Sequence, residues 1–68
     1  MKTITIKGRI DVDDNVKMQL LKNISKTDLL NLTECTFCCS PALLLINKHD
    51  RKATSKEVQE FINLSNLN

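Results

Sequence analysis

All three cysteines, the only histidine and the only proline of this chain fall inside one stretch, ECTFCCSPALLLINKHD, residues 34–50. That stretch limits the available folds more than any other. A chain of 68 residues buries only about 60% of its unfolded surface, so it needs either a staple or a well-filled core. An odd number of Cys cannot complete an intramolecular disulfide set. The remaining staple is zinc, for which Cys35, Cys38 and His49 are the candidate ligands, with Cys39 adjacent and Cys35-x-x-Cys38 at a familiar spacing. Geometry argues against it. In a strand the sulfurs of Cys38 and Cys39 point to opposite faces, and no second Cys pair follows. The preferred expectation is a core, with Cys35 and Cys39 as small buried apolar groups, Cys38 on the opposite face, and no cofactor.

Composition supports a core of aliphatic type. Hydrophobic residues make up 41% of the chain, with two Phe and no Trp or Tyr, so the aromatic faces on which single-stranded nucleic acid stacks are scarce. Net charge is +2, compatible with a nucleic acid but well short of an electrostatic footprint. The longest apolar run is 42–46, far below the ~18 residues that span a bilayer. The opening MKTITIKGRI alternates polar and apolar residues instead of forming a signal sequence. Together with unpaired Cys, this gives a cytoplasmic expectation.

Residues 3–10 place Ile4, Ile6 and Ile10 on one side and Thr3, Thr5, Lys7 and Arg9 on the other, the period-two pattern of a half-buried strand. Asp11, Asp13 and Asp14 supply helix-start chemistry. Val16, Leu20, Leu21 and Ile24 then predict one core-facing helical stripe. Ser25-Lys-Thr-Asp28 reads as a second helix start feeding Leu29, Leu30 and Leu32. Residues 33–39 suit a strand or the end of that helix, Ser40-Pro41 breaks the run, and 43–47 reads as a short buried strand. Thr54-Ser-Lys-Glu57 predicts a capping box, followed by a helix carrying Val58, Phe61 and Ile62. A faint echo lays 6–25 over 46–65, pairing Gln19 with Gln59 and Asn23 with Asn63.

Asn47-Lys48-His49-Asp50 resembles the guanine-recognition motif of small Ras-like GTPases over residues 43–67, which implies that Asn47 and Asp50 read the base and Lys48 flanks it. The chain has a single Gly, however, and lacks the phosphate-binding loop such enzymes need. Residues 2–38 resemble ribbon-helix-helix regulators, including some antitoxins. That resemblance implies Thr5, Lys7 and Arg9 facing bases, with Ser25, Lys26 and Thr27 on the backbone. Lys48, His49, Arg51, Lys52 and Lys56 form a second basic group. No paired-carboxylate, H-E-x-x-H or G-x-S-x-G motif occurs, so no enzyme is expected.

The expected architecture is one small α+β domain, residues 1–68. A two- or three-stranded sheet carries two to three helices on one face, in the order β-α-α-β-β-α or β-α-α-β-α. The expected function is a non-enzymatic intracellular binding protein that docks on a larger protein and inhibits or modulates it. Tiny chains of this Lys/Asn/Ile-rich kind are common products of phages and mobile elements, inhibitors of host defence among them. The expected contact residues are Thr5, Lys7, Arg9, Lys26, Lys48, Arg51 and Lys52, on the exposed sheet face or beside an apolar strip at Leu64 and Leu67. The alternatives are a dimeric ribbon-helix-helix DNA-binding regulator and a zinc-stabilised module. Monomer and homodimer both stay open.

Overall fold

The chain winds as a short coil in which the first two turns run strand, bend, strand, helix and the third runs from one strand straight into a helix. In the computed structural model, which describes residues 1–65, the elements are β1 (Thr3–Thr5), β2 (Gly8–Ile10), α1 (Asn15–Lys22), β3 (Leu29–Leu32), β4 (Cys35–Cys38), α2 (Ser40–Lys48), β5 (Lys52–Thr54) and α3 (Lys56–Ser65). Thr3 lies opposite Leu29, Ile10 opposite Cys38 and Leu30 opposite Lys52, all in parallel ladders. The sheets are a three-stranded β1-β3-β5 and a two-stranded β2-β4. Parallel neighbours need long crossovers, which α1 and α2 provide. The α+β class expected from the sequence is the class that forms. The repeat is not the expected echo, because the ladders advance from Thr3 to Leu29 and from Leu30 to Lys52, whereas the 6–25/46–65 overlay would pair Ile6, after a strand, with Ile46 inside α2.

Several elements differ from the sequence expectation. Residues 43–47 are helical, within α2. Pro41 stands in the first helical turn, where its missing N–H removes no bond, and the three Leu that follow favour helix intrinsically. Conversely, the expected turn of helix at 27–32 is strand β3, because Leu30 and Leu32 alternate inward and are fully buried, and this packing outweighs leucine's helix preference. At α3 the cap is Ser55 rather than Thr54: its hydroxyl accepts the Val58 N–H at 3.1 Å, and it also donates to the Cys35 carbonyl. Thr54 instead donates to Gln59 Oε1 at 2.9 Å. Asp14 caps α1 through the Lys17 N–H at 3.2 Å, as the acidic run suggested.

The core is aliphatic, centred on Ile10, Leu30, Leu32, Ile46 and Val58 with Cys35. Among the described residues Gly8, at φ +71°, is the one in the left-handed region. Beside it the β2/β4 register slips, Gly8 pairing with Cys35 but Arg9 with Phe37. Thr36 is therefore an extra residue, the hallmark of a bulge, and the slip changes the side-chain parity of β4. Cys35 and Cys38 both turn inward while Cys39 is half-buried. This corrects the expectation of Cys35 and Cys39 inside with Cys38 outside. Among the described residues no helix is long and apolar enough to cross a membrane.

Candidate functional site

The seven expected contact residues do not form one surface. Thr5 lies on the outer side of β1, where its hydroxyl meets Asn31 Nδ2 at 3.5 Å. Lys7 pairs with Glu34 at 3.5 Å and Arg9 with Asp11 at 3.2 Å. The Arg9 guanidinium also sits 4.2 Å from the Phe37 ring centre, and Phe61 meets Phe37 edge-on at 5.6 Å. Phe37 is thus already stacked within the chain. Arg51 reaches the Met1 sulfur at 3.5 Å, and Lys52 donates to the His49 carbonyl at 2.6 Å. Only Lys26 and Lys48 come together, with Lys22, around a depression of about 200 Å³ between α1 and the end of α2.

The resemblance to ribbon-helix-helix regulators does not survive as a fold. Residues 3–10 are two short strands that pair in parallel with β3 and β4 of the same chain, and Ser25 to Asp28 is a turn leading into β3. The GTPase-like motif also lacks its setting. Asn47 and Lys48 end helix α2 instead of following a strand, and Asn47 Nδ2 donates to Ser65 Oγ at 2.9 Å. Leu67 lies outside the described residues.

The zinc set is also not assembled. Cys35 and Cys38 have their sulfurs 3.7 Å apart, but the buried His49 is spoken for: its Nε2 donates to the Asp28 carbonyl at 2.7 Å. Among the described residues no three His, Cys, Asp or Glu side chains converge on a metal position. Burial, first, pushes the Cys38 thiol up to about 12, with the adjacent Cys35 thiol and its hydrogen bond adding to the effect, and Cys39 last. A thiol held protonated is a poor ligand and a poor nucleophile.

What the structure adds is exposed apolar surface on the helices. α1 buries Met18 and Leu21, while Val16 and Leu20 stand 74% and 40% exposed. At about 100° per residue these pairs lie about 150° apart around the helix. Val16, Leu20 and Leu21 belonged to one expected stripe and Met18 did not, although Met18 lies only about 60° from Leu21 around the helix. In α2, Ala42 and Ile46 face inward and Leu44 is 65% exposed. Between α1 and α2 runs a groove of about 370 Å³ floored by Met18 and Leu45, with Val12, Pro41 and Leu44 along it and Lys22 and Lys48 at its rim. Val12 is 65% exposed as well. Neither rim lysine has an ion-pair partner among the described residues. Each lies in the last turn of its helix, where a cation also offsets the negative helix end.

Comparison of the chain with protein-family models, with curated proteins and with solved structures finds no match.

Proposed function

We propose that this chain is a non-enzymatic intracellular binding protein that docks on a larger protein through the α1–α2 groove and thereby inhibits or modulates it. The observation that carries the reading is the groove's make-up. Val12 and Leu44, each 65% exposed, flank an apolar trough of about 370 Å³ edged by two lysines. Clustered exposed apolar side chains with a polar rim are the anatomy of a protein interface. A trough between two helices suits an amphipathic segment laid along it. The rim charge selects one whose apolar residues are flanked by Asp or Glu, since the opposite sign speeds encounter and a basic segment meets like charge. Three free thiols support an intracellular setting. The class fits the small inhibitors encoded by phages and mobile elements.

The test uses two synthetic amphipathic peptides of equal apolar content, one Leu/Glu and one Leu/Lys, titrated against the isotope-labelled chain. The expected result is resonance shifts confined to Val12, Lys22, Leu44 and Lys48 with the acidic peptide, lost in Leu44→Glu. Equal shifts with both peptides, or shifts elsewhere, remove the groove from the reading.

A second reading, DNA binding, draws on the convergence of Lys22, Lys26 and Lys48. Three phosphate contacts would give a salt slope of about −2.7 in log K against log salt. A flat slope removes it.

A further inference from the structure

At one end of the coil β1 is a terminal strand, with no further strand paired to it among the described residues. Backbone parity shows which groups are free there. The Lys2 carbonyl accepts from Leu29 N–H at 2.8 Å and Ile6 N–H donates to the Asn31 carbonyl at 3.1 Å, so the even-numbered residues face β3. The N–H and C=O of Thr3 and Thr5 therefore point outward, because β1 is the terminal strand of the order β1-β3-β5. The neighbouring edge is closed. On β2 the outward carbonyl is that of Arg9, and Lys17 Nζ donates to it at 2.7 Å while also pairing with Asp14 at 3.5 Å. At the other end of the coil α3 packs over β4 and β5.

Beside the β1 edge, between the strand and α1, lies a groove of about 460 Å³ lined by Ile4, Val16 and Leu20, with Asn15, Gln19 and Asn23 and the charged Lys2 and Asp28. Outward N–H and C=O groups beside an apolar trough are met by an extended strand that is apolar on one side.

We propose that the occupant is a second copy of this chain, β1 pairing antiparallel with β1 about a two-fold axis through Ile4 to form a six-stranded sheet. In that register Thr3 of each copy stands opposite Thr5 of the other. The outward groups named above then close four N–H···O bonds. Ile4 meets Ile4 as the non-hydrogen-bonded pair, in which side chains approach most closely. Val16 and Leu20 of the two α1 helices are brought up to the same axis, which explains a helix that is apolar on two sides.

Charge favours self-pairing at this patch. The patch carries no net charge, since Lys2 and Asp28 offset each other and residues 3–6, Asn15, Gln19 and Asn23 are neutral, whereas the α1–α2 groove carries Lys22 and Lys48 and would repel its own copy. The antiparallel register sets Lys2 against Ile6, while a parallel in-register pair would set Lys2 against Lys2. A two-fold contact also closes on itself.

Sedimentation equilibrium of the full chain tests the proposal. The expected mass is twice 7.7 kDa. Thr5→Pro deletes one outward N–H without touching the β3 ladder, a substitution that edge strands tolerate. It should raise the dimer dissociation constant on the order of tenfold or more with an unchanged far-UV spectrum. Leu20→Glu, at an exposed position, should do the same and serves as the readout should Thr5→Pro fold poorly. Ile4→Cys in a Cys39→Ser background should cross-link to a covalent dimer under oxidised glutathione, since antiparallel non-bonded pairs stand at disulfide distance. Leu44→Glu should leave the mass unchanged, which separates this surface from the groove of the preceding reading. A monomeric wild type, or a dimer unaffected by both Leu20→Glu and Thr5→Pro, overturns the proposal.

Discussion

The turn after α1 is held by one carboxylate, and replacing it should remove much of the stability of the chain. Asp28 is 4% exposed. Its Oδ1 accepts the Lys2 N–H at 3.1 Å and its Oδ2 the Ser25 N–H at 3.2 Å, while its carbonyl accepts from His49 Nε2 at 2.7 Å. One residue thus ties the segment entering β1, the turn entering β3 and the turn entering β5. Asp28→Asn keeps the shape but turns an NH₂ toward a backbone N–H, so one charge-assisted bond is lost and a shielded donor goes unpaired. That costs about 1.5–3 kcal/mol. At about 0.05–0.15 kcal/mol per residue a chain of this length has roughly 3–10 kcal/mol in total. With no Trp or Tyr in the chain, the assay is urea unfolding followed by far-UV circular dichroism. A slope of about 1 kcal/mol/M for so small a protein converts the loss into a midpoint lower by about 2 M. Asp28→Ala should lower it further. Midpoints within about 0.5 M of wild type for both variants would refute the claim that this carboxylate ties the segment entering β1 to the turn entering β3.

Other outcomes follow from single groups. The Cys38 thiol, raised from 9.0 to about 12 first by burial and then by Cys35, is protonated in the folded chain over a range where an unfolded thiol ionises. Stability is therefore at its full value below about pH 9 and falls as pH rises toward 12, which alkaline unfolding curves at stepped pH will show; a flat profile contradicts the burial argument. In the native chain iodoacetamide should modify Cys39, half-buried, well before the buried Cys35 and Cys38, as mass mapping would reveal. Gly8→Ala should cost about 1–2 kcal/mol, because the φ of +71° is unfavourable for an L side chain even though a Cβ there meets no atom within 4 Å; a neutral effect in thermal melts would mean the turn relaxes. EDTA should leave the melting temperature unchanged, since Cys35, Cys38 and His49 do not converge, and a fall would restore the zinc reading.

What the sequence disclosed and what it concealed follow from the range of the forces involved. The Asp14 cap and the last helix depend on neighbours within a few residues, and they are where the residues pointed, whereas the single strand expected over 3–10 is two short strands separated by a bend before Gly8. Leu29 to Leu32 and residues 43–47 are both short leucine-rich runs, for which periodicity cannot separate strand from helix. Their assignments are exchanged in the structure because the parallel ladder to β1 claims the first and Pro41 starts a helix through the second. The cysteine inventory was legible as core, yet which two sulfurs point inward depended on a single extra residue, Thr36, opposite Gly8 and Arg9. A parity change of this kind flips each side chain beyond it, and nothing in the order of residues 33–39 marks it.

The helix α1 shows where more could have been read. Taking Val16, Leu20, Leu21 and Ile24 as one stripe assumes a single buried face, but Met18, which lies about 160° around the helix from Leu20, adds an apolar position outside that arc and is buried with Leu21. The structure fills one face with the chain's own core and leaves Val16 and Leu20 beside an unpaired strand. Stacked repeats of this kind need a polar cap at each end or a neighbour. At the far end α3 takes that role, with Ser65 bonded back to Asn47. At the near end Lys17 guards β2 alone. The same short-repeat architecture that lets 68 residues enclose a core thus leaves β1 with its Thr3 and Thr5 amides turned outward, the edge along which the proposed second copy would pair.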